Sequence, residues 1–275
     1  MQPAPGMQQD IRDIIFAGIS DHLFNARIIA EHDGIVSGAA RLRDLLATQG
    51  VKAKVLVADG AAIRAGETVA KLCGTPKQIA VAEESVIGVL AKFSGIASAA
   101  RRAVEAAGPE LKVVCGAWKK MPGEIKTAVR EAITHGKAAF RITDEPFLYL
   151  DKNFVRMLGG VEATLRSVAA IGDKRKVIQL KGNRQDIVKE ALDAAQCGAD
   201  IIMVDTGQLD DLTLVHAALQ DAGCRDRIRL AFAKGIRVES ISELKGKGID
   251  ILDIGVAIVD APLLDMKLEV EGVAG

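Results

Sequence analysis

The sequence predicts an α/β protein: a parallel β/α barrel of the TIM-like kind, closed or left partly open, preceded by a smaller α+β sandwich domain. Three observations lead there. From Gly160 onward, apolar runs of strand length alternate with amphipathic helical runs, the order that gives right-handed crossovers and a parallel sheet. The 275 residues are 49% hydrophobic and only 3% aromatic, so the core is built from Ala, Val, Ile and Leu, which suits packed helices and parallel strands. Charged residues and glycines also recur just beyond the strand-like runs, where barrels of this kind carry their chemistry.

In chain order, the residues up to about Asp10 read as loose, and IRDIIFAGISDHL has helical spacing at Ile11, Ile14, Ile15 and Ile19. A strand (ARIIAEH), a turn at Asp33-Gly34 and a helix burying Ala40, Leu42, Leu45 and Leu46 follow. The stretch from Lys52 to Val86 reads as short strands punctuated by glycine. Taken alone it resembles a lipoyl- or biotinyl-type hammerhead, but the attachment-lysine motif is missing. GVLAKFSGIASAARRAVEAAG then reads as a long helix, and its Ser-Gly-Ile-Ala segment suits a close helix crossing that needs small residues. Residues 1–108 are assigned to the amino-terminal domain and 109–264 to the barrel, with a return of 265–275 onto the first domain open to the chain.

The stretch Cys115–Gly160 is the densest in chemistry. It holds a strand-like run (KVVCGAWK), two lysines, the Pro122-Gly123 turn and a helix with Ile125, Ala128, Val129 and Ala132 on one face. Lys119 and Lys120 are placed at a strand end just ahead of a helix N-terminus, a location that favours anions. Further strands are expected at FLYLD, KVIQLKG, ADIIMVDT, RIRLAFAKGI and IDILDIG. Helical faces are formed by Ile187, Val188, Ala191, Leu192 and Ala195, and by Leu212, Val215, Leu219 and Ala222. The strand ends then gather Lys119, Lys120, Asp151, Lys152, Lys181, Asn183, Asp205, Thr206, Lys234, Gly235 and Gly255. The glycines after the last two strands lie where barrel phosphate sites commonly form.

Composition excludes several functions. The 36 basic and 36 acidic residues cancel, so no overall field draws the chain to nucleic acid or an anionic membrane. No run of roughly 18 uninterrupted apolar residues is present, and the start lacks the basic and apolar regions of a signal peptide; a cytoplasmic location is expected. Cys73, Cys115, Cys197 and Cys224 are widely spaced, which fits free thiols rather than a disulfide framework or zinc site.

Ala117-Trp118-Lys119-Lys120-Met121-Pro122-Gly123, a helix and then Phe140-Arg141 resemble the quinolinate phosphoribosyltransferase (nicotinate-nucleotide pyrophosphorylase) family, whose members carry Thr-Arg-Lys-Thr-x-Pro-Gly, a helix and His-Arg. Phe93 to Ser98 are similar to the family's Leu-Ser-Gly-Ile-Ala-Thr, and GVAIVDAPLLDMKL at 255–268 to its Gly-Ala-Leu-Thr-His-Ser and following residues. The resemblance implies reaction of quinolinate with phosphoribosyl pyrophosphate and Mg²⁺, without an organic cofactor, giving nicotinate mononucleotide, carbon dioxide and pyrophosphate. It implies catalytic roles for Lys119 and Asp205, the latter also indirectly at Mg²⁺. The resemblance matches Arg141 to a second substrate-holding cation and Gly235 to the phosphate-binding turn, and implies a homodimer or hexamer of dimers as the assembly. Lys120, Lys181, Lys234 and Gly255 are expected to hold phosphate from their own place at the strand ends.

The same comparison shows departures. The family's carboxylate-holding arginines fall at Glu84 and Trp118, its histidine at Phe140, and a further lysine at or next to Asp151. Its barrel glutamate lies around Gln179 or Lys181, and its Ser-Gly-Gly reads Ala233-Lys234-Gly235. Replacing an arginine by Glu84 turns attraction for a carboxylate into repulsion. The expectation is a phosphoribosyl donor with an unknown ring acceptor other than quinolinate, stacked on Trp118 and Phe140. The alternative is a barrel that has lost catalysis and serves as a ligand-binding or regulatory protein.

Overall fold

A computed structural model describes residues 10–182 and 186–274; Asn183 lies outside the described residues. In chain order the elements are α1 (Ile11–Ile15), β1 (Phe24–Ala30), β2 (Gly34–Ile35), α2 (Ala39–Thr48), β3 (Lys52–Val55), β4 (Ala62–Ile63), β5 (Thr68–Gly74) and α3 (Pro76–Ala107). There follow β6 (Lys112–Val114), α4 (Lys126–His135), β7 (Phe147–Leu150), α5 (Lys152–Leu158), α6 (Val161–Ser167), β8 (Arg175–Leu180) and α7 (Ile187–Gln196). The last are β9 (Ile201–Val204), α8 (Leu209–Asp221), β10 (Arg229–Ala233), α9 (Ile241–Leu244), β11 (Ile251–Asp253), α10 (Val256–Val259) and β12 (Met266–Val273). Residues up to Ser98, with those from Pro262 onward, form one compact unit, and Ala99–Ala261 form the other.

The smaller unit is built on a four-stranded antiparallel sheet in the order β12-β1-β5-β3, with β1 paired to β12 along its full length. Ile28, Leu42, Leu46, Val69, Val86 and Leu90 are fully buried in its core. Two expectations are corrected here. The helix expected over IRDIIFAGISDHL is only five residues long, and Ile11, Ile14 and Ile15 are more than 60% exposed. The segment from Pro76 to Ser85 is helix rather than part of a strand-rich stretch. Thr75 and Gln78 form a reciprocal cap at its start, with Thr75 N–H donating to Gln78 Oε1 at 2.9 Å and Gln78 N–H to Thr75 Oγ1 at 3.4 Å. Proline at the first helical position completes the signal.

The small residues of Phe93–Ser98 have a packing role. A Cβ on Gly95 would lie 2.1 Å from the Pro262 carbonyl oxygen. Buried Ser94 and Ser98 accept the Ser37 and Ile35 N–H groups at 3.0 and 2.8 Å, satisfying backbone donors that the core would otherwise leave unpaired.

The larger unit is a curled, all-parallel six-stranded sheet in the order β6-β11-β10-β9-β8-β7. A parallel bridge between Val114 and Ala139 adds one more segment beside β6. The strands thus follow one another in chain order around an incomplete barrel. Among the described residues, no pairing joins the Ala139 segment to β7, so the barrel is open there. Its interior is filled by alternate residues: Val114, Val177, Ile201, Met203, Ala231, Ala233 and Ile251. This period of two fixes the site, because the next inward positions towards the carboxyl ends are Gln179, Asp205 and Asp253. Among the described residues no helix is long and apolar enough to cross a membrane.

Candidate active site

A cavity of about 1140 Å³ opens at the carboxyl ends of the barrel strands. It brings together Trp118, Lys119, Lys120, Phe140, Arg141, Asp151, Lys181, Asp205, Lys234, Gly235 and Gly255. Of the described residues to which the family resemblance or its departures assign a place in the site, all line it except Glu84; Thr206, also expected at a strand end, does not line it. Glu84 lies on α3 in the other unit, 64% exposed in its side chain, and pairs with Arg12 Nη2 at 2.5 Å.

One wall is a polar network at the ends of β8 and β9. Lys181 Nζ lies 2.6 Å from Asp205 Oδ2 and donates to the Asp205 carbonyl oxygen at 2.7 Å. Gln179 Nε2 donates to the same carboxylate. The glutamine's Oε1 accepts the Lys152 N–H at 2.9 Å, fixing which end of the amide faces Asp205. Asp151 caps α5, its Oδ1 accepting from Asn153 N at 2.8 Å and Phe154 N at 3.2 Å. Its first task is thus to start that helix.

The opposite wall follows β6. The strand stops at Val114, and Gly116–Lys120 form a 3-10 turn, so the two lysines sit on a turn beyond the strand rather than at its end. Lys119 reaches back over the Tyr149 ring, with Nζ 4.4 Å from its centroid. Trp118 and Phe140 meet edge to face at 6.3 Å and 81°, and Trp118 Nε1 donates to the Phe140 carbonyl at 2.8 Å. The guanidinium of Arg130, from α4, lies over both rings, 5.0 Å from Trp118 and 5.8 Å from Phe140. One face expected to be open for stacking is therefore covered by an arginine. Arg141 is exposed and lies 5.2 Å from the Phe147 ring centroid.

Near β10, Lys234 has a left-handed backbone (φ 81°), as do Gly235 (φ 73°) and Gly207 (φ 75°). A Cβ on Gly207 would stand 2.8 Å from the Lys234 carbonyl oxygen. Gly207 thus allows the loop that presents Lys234 to close against it.

Arg130, Tyr149 and Asp253 also line the cavity and were not singled out from the sequence. Arg130 reads as part of the polar face of an amphipathic helix, and Tyr149 as one apolar residue in FLYL. Asp253 had a usable signal: in Ile-Asp-Ile-Leu-Asp it follows inward Ile251 by two residues, so the strand period aims it inward. Its Oδ1 accepts the Gly116 N–H at 2.9 Å. Burial raises its pKa above the ordinary carboxylate value, an effect opposed by that hydrogen bond and by Lys119, and Asp205 adds to the rise. Burial, with Asp253, Asp205 and Asp151 nearby, also keeps the Tyr149 phenol protonated, and its hydroxyl is turned to Met203 Sδ at 3.0 Å.

The donor set fits magnesium only in part. Among the described residues no three His, Cys, Asp or Glu side chains are grouped to hold a metal ion. That excludes a full cage from these residues, but Mg²⁺ commonly keeps its waters and takes one or two carboxylates plus substrate phosphate oxygens. Asp205 suits that more limited role.

Known proteins place this architecture. An Archaeoglobus fulgidus protein named as a probable nicotinate-nucleotide pyrophosphorylase (carboxylating) is 26% identical over 89% of this chain and 93% of its own length. The rat nicotinate-nucleotide pyrophosphorylase (carboxylating) is 26% identical over 97% of this chain and 89% of its own. The crystal structure of nicotinate-nucleotide pyrophosphorylase from Ehrlichia chaffeensis superposes with a TM-score of 0.82 over 97% of this chain and 94% of that one, at 15% identity. The N-terminal domain of quinolinate phosphoribosyl transferase matches residues 10–94 and its C-terminal domain residues 96–269, so the chain belongs to that family.

Proposed function

We propose that this protein is a phosphoribosyltransferase that binds a phosphorylated ribose donor with magnesium and joins it to a ring acceptor other than quinolinate. The observation that carries this reading is the division of the cavity lining. Lys119, Lys120, Lys181 and Lys234 face it together with Asp205. By contrast, the residues standing where the family resemblance expects a dicarboxylate clamp, Trp118 and Phe140, are engaged with each other and with Arg130. Relatives named as carboxylating nicotinate-nucleotide pyrophosphorylases support the reaction type.

In phosphoribosyl transfer a ring nitrogen bonds to ribose C1 as the C1–O bond to pyrophosphate breaks. Negative charge grows on the leaving oxygens, and fixed cations beside them lower the barrier. Lys119 and Lys120 approach from the β6 side and Lys181 from the β8 side, with Lys181 held in place by Asp205. Asp205 is also the carboxylate that would meet ribose hydroxyls. Magnesium, when bound, would neutralise pyrophosphate charge, with Asp205 holding it through water. Lys234, with the left-handed backbone beside it, would receive the 5′-phosphate. Assembly as a homodimer or hexamer of dimers belongs to the same proposal.

The test is calorimetric binding of phosphoribosyl pyrophosphate with Mg²⁺ to the wild type, Lys119→Ala and Asp205→Ala. Micromolar binding weakened by both changes is expected. No binding at millimolar donor overturns the reading and leaves a barrel that holds another ligand without this transfer.

A further inference from the structure

We propose that Asp253 selects the acceptor: its carboxylate turns away a ring carboxylate and accepts a hydrogen bond from an amide, amine or ring N–H. The inference rests on the transferase reading above and names the chemistry its acceptor must have.

Three features of Asp253 support it. First, it stands on the inward face of β11, two residues after Ile251, and lines the cavity. Second, it is seated by the backbone rather than by a cation. Gly116 N–H bonds Oδ1 at 2.9 Å, and a Cβ on Gly116 would come within 3.0 Å of Oδ2, so glycine is what lets the carboxylate lie against this turn. Third, among the described residues Asp253 forms no ion pair. Lys119 and Lys120 attract it without touching it, and Asp205 repels it.

Gly116 satisfies Oδ1, but a carboxylate so placed is costly to bury unless something also donates to Oδ2. Tyr149 is no such donor, because its hydroxyl is turned to Met203. A ligand N–H satisfies Oδ2, whereas a ligand carboxylate brought there meets the like charges of Asp253 and Asp205 in a partly desolvated space.

The experiment titrates three pyridine probes, nicotinamide, nicotinate and quinolinate, into the wild type, Asp253→Asn and Asp253→Ala. Phosphoribosyl pyrophosphate with Mg²⁺ is titrated into the same samples. The wild type should bind nicotinamide at least roughly tenfold more tightly than nicotinate, with quinolinate weakest. Both variants should narrow that gap by tightening the carboxylates. Three results overturn the proposal: equal or reversed preference in the wild type, a preference unchanged in both variants, or no binding of any probe at millimolar concentration. The wild-type order is decisive even where a variant fails to fold. Donor binding retained alongside any of these results sinks the role of Asp253 alone, whereas donor binding lost in the wild type sinks the transferase reading.

Discussion

The two walls of the cavity are built differently. At the ends of β8 and β9, charge is held by charge: Lys181, Asp205 and Gln179 bond one another, and Lys152 N–H orients the glutamine. At the end of β6, aromatic contacts hold the cations: Lys119 over Tyr149, and Arg130 over Trp118 and Phe140. A wall of the first kind suits a ligand with many negative oxygens, because its cation is prepositioned. In the second, the rings are already occupied, so a ligand gains less by stacking there. Under the proposed function, walls built this differently would let donor and acceptor chemistry diverge separately within one barrel mouth.

Asp205 separates the two walls most sharply. Asp205→Ala leaves Lys181 without its carboxylate partner in a side-chain environment only 21% exposed, and donor binding should weaken by at least ~2 kcal/mol, roughly 30-fold. Trp118→Ala should leave donor affinity within about twofold. Equal losses in the two variants, measured by calorimetry, would erase the distinction between the walls.

Gly207→Ala comes next. It places a side chain at φ 75° and against the Lys234 carbonyl, a strain of about 1–2 kcal/mol. Weaker binding of inorganic phosphate is expected if this loop receives a phosphate, and unchanged phosphate affinity with an unchanged fold would remove Lys234 from the donor site. Phe140→Ala deletes an edge-to-face partner and should lower stability by about 1 kcal/mol, or roughly 2–4 °C in Tm, with donor affinity retained. A loss of donor binding without a fall in Tm would contradict this assignment.

Asp253 gives a pH test. Its folded pKa is raised by burial, so as pH rises above the ordinary carboxylate value the unfolded chain releases this proton before the folded chain does. The folded state therefore loses stability across that window, and Asp253→Asn should gain Tm over the wild type at neutral pH but not below the ordinary carboxylate pKa. A variant equally or less stable at both pH values would count against the burial effect.

The smallest effect concerns thiols. Cys115 heads the turn carrying Trp118, is fully buried and has its pKa pushed up to about 12. Native labelling at mildly alkaline pH should reach half-buried Cys73 and Cys197 and spare Cys115 and Cys224. Labelled Cys115 would show that the aromatic wall opens.

Much of the fold was legible because each barrel strand and helix carries its own periodicity. Thr75-Pro76-x-Gln78 shows how a start signal is lost: glycine-punctuated strands before it made the following ten residues look like more of the same. The exposed isoleucines of α1 show that helical spacing alone does not say whether a face is covered. Strand-end cations were legible because barrel topology puts strand ends together whatever their sequence separation. Arg130 and Tyr149 were not, since an arginine on a helix's polar face and a tyrosine in an apolar run acquire meaning only when α4 and β7 are set beside the Gly116–Lys120 turn. Asp253 stands between these cases: its inward direction follows from alternation, but its contact with Gly116 follows from the pairing of β11 with β6.

The proposed function holds that Lys119, Lys120, Lys181 and Asp205 bind a phosphoribosyl donor while the place of the family's dicarboxylate clamp, at Trp118 and Phe140, does not take quinolinate. It is tested most directly by titrating the wild-type protein, in the presence of Mg²⁺, with phosphoribosyl pyrophosphate and with quinolinate side by side. Micromolar donor binding with no detectable quinolinate binding at millimolar concentration is the predicted result. Quinolinate bound as tightly as the donor would contradict the account.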